Sequence, residues 1–562
     1  MSDEILECCI PYIQDPSDRS SISMVSKRWY ELDRLTRRSI TIYLCYTTTP
    51  QRLYDRFPNI ESLRLKGKPR PAMYNLIPDD WGGFAKPWID VLGSFHCLSS
   101  LHLRRMIVAD ADLYTIGSVK GCFLQLLKLD KCSGFSTDGL LHITRYCSNL
   151  RTLFLEESSI DEMNGEWLHE LALNNTVLEY LNYYMTFLEK IKVEDLELLA
   201  RNCPLISVKI SDTDLFCLRN FFRIAARLQE FCGSCFDAEL GLYSDIVFPT
   251  QLSSFGPMYM LDKYLHICFP VANSLWKLDI VYATLTCGAQ CDLLQRCHNL
   301  RVLETTDVIG DQGLEVVSLT CKRLKKLRVE RGEDVPTLGV QAGAVTHRGL
   351  ISVAQGCHDL EYLSINVADI GNEALECVGA NLNNLNVFRL VLLEKEETIT
   401  DLPLDNGVRA LLQGCQNLRR LSLYLRQGGL SDIGLSYIGQ YSQNVKRMLL
   451  GSVGETDAGL LEFSKGCPRL RALEMRACCF TERALAIAAK QLSSLRYIWV
   501  QGYRSSETGT IDLLEMARPY WNIELVHGDN YNINGNFVAY YSLAGQRTDH
   551  PESIIPLALP NL

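Results

Sequence analysis

The stretch Thr346–Ile365, THRGLISVAQGCHDLEYLSI, carries two different periodicities end to end. Leu350, Ile351, Val353 and Ala354 recur at the spacing of one helical face, behind a threonine placed to cap a helix. From Cys357 the pattern changes to Cys-x-x-Leu-x-x-Leu-x-Ile. Its last part alternates, so Leu363 and Ile365 share one side of a strand and Ser364 faces the other.

The Cys-x-x-Leu-x-x-Leu-x-Leu frame, or a near relative, returns at Cys147, Cys203, Cys297, Cys321, Cys357, Cys415 and Cys467. Copies without the cysteine begin at Asn175, Leu382, Ser442 and Leu492, and FPNIESLRL and FHCLSSLHL open the series. From 357 the frames fall at 382, 415, 442, 467 and 492, which are 25, 33, 27, 25 and 25 residues apart. Between them lie helical runs such as TDGLLHITRYC, DQGLEVVSLTC and DAGLLEFSKGC. One strand and one helix per unit predict an α/β leucine-rich-repeat solenoid, a horseshoe to nearly closed ring, in which each unit is stable only against its neighbours.

The chain of 562 residues is 47% hydrophobic with a net charge of −10. That balance disfavours non-specific binding to nucleic acid or anionic membranes. The acidic N-terminus, MSDEILECCIPYIQDP, has neither a basic start nor an apolar core of signal-peptide length, and no apolar run reaches membrane-spanning length. An intracellular, soluble protein is expected, with its 22 cysteines reduced and mostly buried. Cys232 with Cys235, and Cys287 with Cys291, are spaced as half of a zinc site could be, but do not combine into one compact ligand set, so no metal is expected.

Alternation turns the residues beside the frame leucines toward the concave face: Arg64 and Lys66, His102 and Arg104, Lys128, Lys326 and Arg328, then Arg389, Arg420 and Arg476. Exposed strand positions are often polar for no functional reason. Basic residues from early and late repeats could equally meet around one polyanion, since guanidinium forks and ammonium groups suit phosphate and carboxylate. Three units are stretched, from 57 to 95, 321 to 357 and 382 to 415, each with its extra residues after the strand, where loops on a rigid scaffold form binding elements. In the first, Met73, Tyr74, Leu76 and Trp81 place apolar surface over a basic floor, as an amphiphilic acid requires, or pack the loop on the solenoid.

Residues 3–40 lie outside the repeat, with apolar Ile5, Leu6, Ile10, Ile22, Met24, Val25, Trp29 and Leu32 in short helical runs and Asp15-Pro16 as a helix start. So small a segment is expected to dock on the solenoid or on another protein.

DEILECCIPYIQDPSDRSSISMVSKRWYELD resembles an F-box. KGKPRPAMYNLIPDDWGGF, HLRRMIV, LKLDKCSGFSTDGL, FRLVLL, ITDLPLDNGVRALL, YLRQGGLSDIGLSYIGQYS, WVQGY and AYYSLAGQRTD resemble the coronatine-insensitive jasmonate receptors of plants, relatives of the auxin-receptor F-box proteins, over essentially the whole chain. The resemblance implies three parts: an F-box over 1–42 that binds a Skp-type adaptor through Ile5, Leu6, Ile10, Ile22, Val25 and Trp29; a solenoid over 43–525; and a C-terminal cap or tail over 526–562. It implies a non-catalytic substrate-recognition subunit of a Skp–cullin–F-box ubiquitin ligase, acting in the nucleus. With a jasmonoyl-isoleucine-type hormone as glue, it would capture jasmonate-ZIM-domain repressors for ubiquitination and degradation.

Hormone contacts would then fall on Arg70, Tyr74, Leu76, Arg328, Ser364, Asn366, Arg389, Tyr424, Leu449, Arg476 and Trp499. A structural inositol polyphosphate would meet Arg64, Lys66, Met73, His102, Arg104, Arg105, Lys326, Arg328 and Arg389. The chain departs from the family at Ser364 and Asn366, where a tyrosine two residues after an alanine is usual, and at Tyr74, usually phenylalanine. A lost phenol at Asn366 puts the hormone's identity in question, toward a precursor or altered jasmonate. A protein degron read without a small molecule is the competing expectation. No nucleophile–base arrangement or Gly-rich phosphate loop argues for catalysis.

Overall fold

A computed structural model of the protein describes residues 3–13, 15–70, 72, 77, 81–332, 345–392, 401–477, 479–504, 521–526, 537–542, 547, 549, 551–552 and 555–557. The opening stretch folds as its periodicities require. His347–Gly356 is a helix that buries Leu350, Val353 and Ala354, and Tyr362–Val367 is a strand that buries Leu363 and Ile365. Cys357 and Leu360 close the corner between them, both 0% exposed. Each such leucine contributes about 1.5–3 kcal/mol by leaving water.

Two compact units divide the chain: Met1–Ser234 with Val247–Gln251 and Gly545–Pro551, and Cys235–Ile246 with Leu252–Ala544 and Glu552–Leu562. The first opens with three helices, α1 (Asp3–Cys9), α2 (Pro16–Ser23) and α3 (Lys27–Thr36). Parallel strands follow: β1 (Ser39–Ile42), β2 (Ser62–Lys66), β3 (Ser100–Arg104) and β4 (Leu126–Asp130), continued by Thr152–Phe154, Tyr180–Asn182 and Ser207–Asp214. In the second unit the strands from Ser254–Gly256 to Tyr497–Gln501 pair in parallel, neighbour to neighbour. Phe537–Ser542 then pairs antiparallel with Tyr497–Gln501 and with Trp521–Val526, which also takes Ile555–Leu557.

The boundaries expected from sequence shift accordingly. The helical segment ends at Thr36 and β1 already belongs to the sheet. The division at 525/526 cuts a strand, and Arg547 and Asp549 of the tail pack with the first unit.

Successive repeats are tied by side chains at the helix starts. Thr346 caps its own helix through Arg348 N, while the Asp311 carboxylate of the preceding helix accepts Thr346 N at 2.8 Å and Thr346 Oγ1 at 2.7 Å. Asp110 with Ser136, Asp405 with Ser431, Asp432 with Thr456 and Asp457 with Thr481 repeat the arrangement. At Ser136, Thr346, Ser431 and Thr481 the hydroxyl is also the helix cap, whereas Thr456 makes no capping bond, and in all five the aspartate fastens the next repeat. Being partly exposed, each pair falls at the lower end of the roughly 1.5–3 kcal/mol of a charge-assisted bond.

Several frame cysteines form a second ladder, the thiol facing a carbonyl of the repeat before it: Cys321 to Cys297 at 3.6 Å, Cys357 to Cys321 at 3.8 Å and Cys415 to Leu382 at 3.4 Å, whereas Cys297 faces Leu293 O of its own helix at 3.3 Å. Burial pushes the thiols of Cys147, Cys297, Cys415 and Cys467 up to about 12. At pH 8 only on the order of 1 in 10⁴ of each is thiolate. Iodoacetamide is thus expected to modify the exposed Cys8, Cys9, Cys97, Cys122 and Cys217 within minutes and to reach the frame cysteines only in denaturant. Labelling of Cys297 or Cys415 in the native protein, read by mass spectrometry, would contradict this. Cys232, Cys235 and Cys291 are buried too, and among the described residues no three His, Cys, Asp or Glu side chains are grouped to hold a metal. No helix among them is long and apolar enough to cross a membrane.

Candidate functional site

In the helical segment, Asp15 caps α2, its Oδ1 accepting from Asp18 N at 3.2 Å, with Pro16 in the first helical position. Leu6, Ile10, Ile22 and Leu32 pack together, with Ile13 and Trp29 against them. Leu6, Ile10 and Ile22, expected on a docking face, are this small core instead. The outward apolar surface consists of Ile5 and Val25 together with Tyr12 and Met24, the last two 84% and 85% exposed. Helices of seven to ten residues carry too few turns for periodicity to say which apolar side chains face inward.

Beneath the core sits a charged hub that the sequence reading missed. Asp33, fully buried, pairs with Arg19 at 2.9 Å, Arg37 at 2.8 Å and Arg56 at 3.3 Å, and accepts from Ser23 Oγ.

The strands of the first unit bring Arg64, His102 and Lys128 into one row, with Lys66, Arg104 and Asp130 in the next. Asp130 lies 3.0 Å from Arg104 Nε and 3.5 Å from His102 Nε2. Burial, reinforced by the nearby Arg64 and Lys128, lowers the His102 pKa despite Asp130, so the imidazole is neutral at pH 7. Lys66 lies over the Tyr43 ring at 4.3 Å. Arg105 turns to the loop, its Nε donating to Lys68 O at 2.7 Å. Arg70 is half-buried on the same loop, whereas Met73, Tyr74 and Leu76 lie outside the described residues. Trp81 is fully buried with its Nε1 donating to Tyr46 OH at 3.0 Å, so it packs the loop on the solenoid and offers no ligand surface.

In the second unit the register runs Glu304, Arg328, Ser364, Arg389, Ser422, Leu449, Glu474 and Trp499 across eight strands. The parallel row beside it holds Asn366, Val391, Tyr424, Gly451 and Arg476. The basic floor read from sequence is here, but it is largely compensated. Lys326 pairs with Glu304, Arg328 with Glu304 at 3.2 Å and Glu330 at 2.7 Å, and Arg389 with Glu330 at 3.4 Å. Burial opposes ionisation of Glu304, yet Lys326 and Arg328 hold its pKa below the usual range, so the carboxylate is charged at neutral pH. Three cations against two carboxylates leave one unit of positive charge, far less than a row of free arginines. Strand alternation could have found Glu330, which stands two residues beyond Arg328 on the same face.

Ser364, 1% exposed, accepts from Arg389 Nη1 at 3.0 Å. Asn366 is 9% exposed, and among the described residues its Oδ1 meets no hydrogen-bond donor. Tyr424 lies flat against the next strand because Gly451 has no side chain: a Cβ there would come within 1.7 Å of the ring. Leu449 is half-buried beside it, while Arg476 and Trp499 are buried and back the row rather than line it openly.

The arrangement offers guanidinium forks that can exchange Glu330 for another carboxylate, flanked by the Tyr424 ring, Leu449 and an unfilled amide acceptor. Among the described residues of this row no nucleophile stands beside a base.

Comparison with known proteins agrees with this architecture. The F-box family matches residues 1–39 and the Transport inhibitor response 1 protein domain matches residues 58–103. The chain is 54% identical to Coronatine-insensitive protein 1 of Arabidopsis thaliana, over 99% of its own length and 97% of that protein's. It is 53% identical to Coronatine-insensitive protein homolog 1b of Oryza sativa subsp. japonica, over 99% and 96%. GRR1-like protein 1 of Arabidopsis thaliana is more distant, at 34% over 98% and 96%. Sharing over half its residues with the two coronatine-insensitive relatives over 99% of its length, the chain belongs to the coronatine-insensitive family of F-box proteins.

Proposed function

We propose that this chain is the substrate-recognition subunit of a Skp–cullin–F-box ubiquitin ligase that captures jasmonate-ZIM-domain repressors when a jasmonoyl-isoleucine-type hormone joins the two. The observation that carries the reading is the pair Arg328 and Arg389 converging on Glu330, in a chain 54% identical to a coronatine-insensitive protein. A hormone carboxylate can take the place of Glu330 on these forks at little electrostatic cost, because one carboxylate replaces another. Its hydrocarbon then meets Tyr424 and Leu449, and its uncovered edge becomes part of the repressor's binding surface. The helical segment docks a Skp-type adaptor through Ile5, Tyr12, Met24 and Val25. Ubiquitin transfer belongs to the partner enzymes, and the complex acts in the nucleus. The row Arg64, His102 and Lys128 of the first unit suits an inositol polyphosphate as a structural ligand.

Asn366 favours a second reading of the ligand, since a buried acceptor without a donor is costly and a ligand hydroxyl would relieve it. An altered jasmonate would then be the preferred hormone. Pull-down of a ZIM-domain repressor on the adaptor complex, with and without jasmonoyl-isoleucine, tests both. Capture only with ligand is expected, strengthened several-fold by Asn366→Tyr. Equal capture in the two arms would establish degron recognition without a hormone. Unchanged or weaker capture by Asn366→Tyr would remove the case for a gap at that wall.

A further inference from the structure

The start of the helical segment carries two stripes. Leu6, Ile10 and Ile13 recur at helical spacing and pack inward with Ile22, Trp29 and Leu32. Ile5, Cys8, Cys9 and Tyr12 recur at the same spacing on the other side, and all four are exposed, Ile5 by 52% and Tyr12 by 84%. α1 ends at Cys9, and the single 3-10 turn Ile10–Tyr12 follows it directly. The turn between α2 and α3 adds Met24 and Val25 to the exposed apolar surface of the segment.

These two thiols stand apart from the other cysteines. Those of the repeat frame are buried, and the exposed Cys97, Cys122 and Cys217 belong to the repeats. Cys8 and Cys9 are the cysteines of residues 1–39, the stretch that matches the F-box family. Apolar side chains left outside so small a segment mark a protein interface, and reduced cysteine serves such a face as a small hydrophobe. Covalent modification changes that character at once. Consecutive Cα atoms lie ~3.8 Å apart, short of the ~4.4–6.8 Å that an ordinary disulfide spans, so each thiol is suited to an outside partner rather than to its neighbour.

We infer that Cys8 and Cys9 are a thiol modification site within the adaptor-docking face: a mixed disulfide with glutathione at either one blocks the Skp-type adaptor, and the bound adaptor in turn covers both. The inference rests on the reading of this segment as the adaptor-docking element. The chemistry is thiol–disulfide exchange with glutathione disulfide as the oxidant. The cysteine thiolate attacks one sulfur of glutathione disulfide, and the protein–glutathione S–S bond forms as the original S–S bond breaks. The leaving glutathione thiolate takes up the proton that the cysteine released. The cysteine sulfur is oxidised and the departing glutathione reduced. The adduct places carboxylates and an ammonium on an apolar contact, where charged groups lose their water without gaining partners. Free thiol reverses the step, so adaptor docking follows the state of two side chains.

The full chain, reduced or treated with glutathione disulfide, is titrated with a Skp-type adaptor, and adduct occupancy is read by mass spectrometry. In parallel, iodoacetamide labelling rates at Cys8, Cys9, Cys97, Cys122 and Cys217 are compared with and without saturating adaptor. Expected are a roughly ten-fold or greater loss of adaptor affinity in the adducted chain, recovered by dithiothreitol, and labelling of Cys8 and Cys9 slowed by a similar factor in the complex. Cys97, Cys122 and Cys217 should label at one rate in both states. Their combined replacement by serine should keep the full response to glutathione disulfide. Cys8→Ser/Cys9→Ser, whatever affinity it starts from, should bind the adaptor equally in oxidised and reduced buffer. Unchanged affinity with the adduct in place overturns the inference, as do equal labelling of Cys8 and Cys9 in both states, absence of an adduct at either, or a response that persists in Cys8→Ser/Cys9→Ser. Failure of the reduced wild-type chain to bind the adaptor overturns the docking reading instead.

Discussion

Asp33→Ala is expected to abolish adaptor binding while leaving the repeats folded. The Asp33 carboxylate pairs with Arg19, Arg37 and Arg56 together, and it is fully buried. Arg19 lies in α2 and Arg37 just beyond α3. Arg56 ends the helix Pro50–Arg56, where its guanidinium also sits 3.4 Å from the centre of the Tyr30 ring. One carboxylate thus joins the helical segment to the first repeat. Its removal leaves three guanidinium groups facing each other without the carboxylate that pairs with them, a change that costs about 3–5 kcal/mol where the pair is buried. The segment's own core of Leu6, Ile10, Ile22 and Leu32 is too small to absorb that loss. Co-purification with a Skp-type adaptor should fall below detection, with proteolysis confined to residues before 60 and the main thermal transition retained. Asp33→Asn, which keeps an acceptor but not the charge, should fall between. Wild-type adaptor yield from Asp33→Ala would show that the hub does not hold the segment.

Arg389→Ala is expected to raise the jasmonoyl-isoleucine concentration needed for repressor capture by about 30- to 150-fold. Arg389 donates to Ser364 Oγ at 3.0 Å and pairs with Glu330 at 3.4 Å, at the centre of the row that would receive the hormone carboxylate. Loss of one charge-assisted partner of a ligand carboxylate costs about 2–3 kcal/mol, and 1.4 kcal/mol is a factor of ten. The fold should tolerate the change, because Glu330 keeps Arg328 at 2.7 Å and Ser364 can rotate its hydroxyl. Adaptor binding and the unfolding midpoint should therefore stay near wild type, which separates this effect from that of Asp33→Ala. A shift of less than three-fold would place the carboxylate elsewhere on the concave face.

The elements that came straight from sequence are those governed by short-range periodicity. Cys357, Leu360, Leu363 and Ile365 had to be buried because a period of two followed a period of 3.6, and no other assignment removes them from water. The same alternation put Arg328, Ser364 and Arg389 on one face, and family resemblance supplied their roles. What alternation could not supply was partnership. The frames from 297 to 382 are 24 to 36 residues apart, so which carboxylate answers which arginine depends on strand register across repeats of unequal length. Glu304 therefore went unseen, as did the pairing of Glu330 with Arg389, the room that Gly451 makes for Tyr424 and the aspartates that fasten the following repeat. The helical segment was legible as a docking element, but its inside and outside were not, since α1 and α2 are barely two turns long.

By itself the sequence determined the repeat, its buried positions and the facing of its basic residues, because hydrophobic burial acts through local spacing. Only the tertiary structure decided how much of that charge is compensated, which apolar residues of the first helices remain outside, and that Arg547 reaches Trp81. Those outcomes depend on pairwise distances between groups far apart in the chain, and no local pattern encodes such distances.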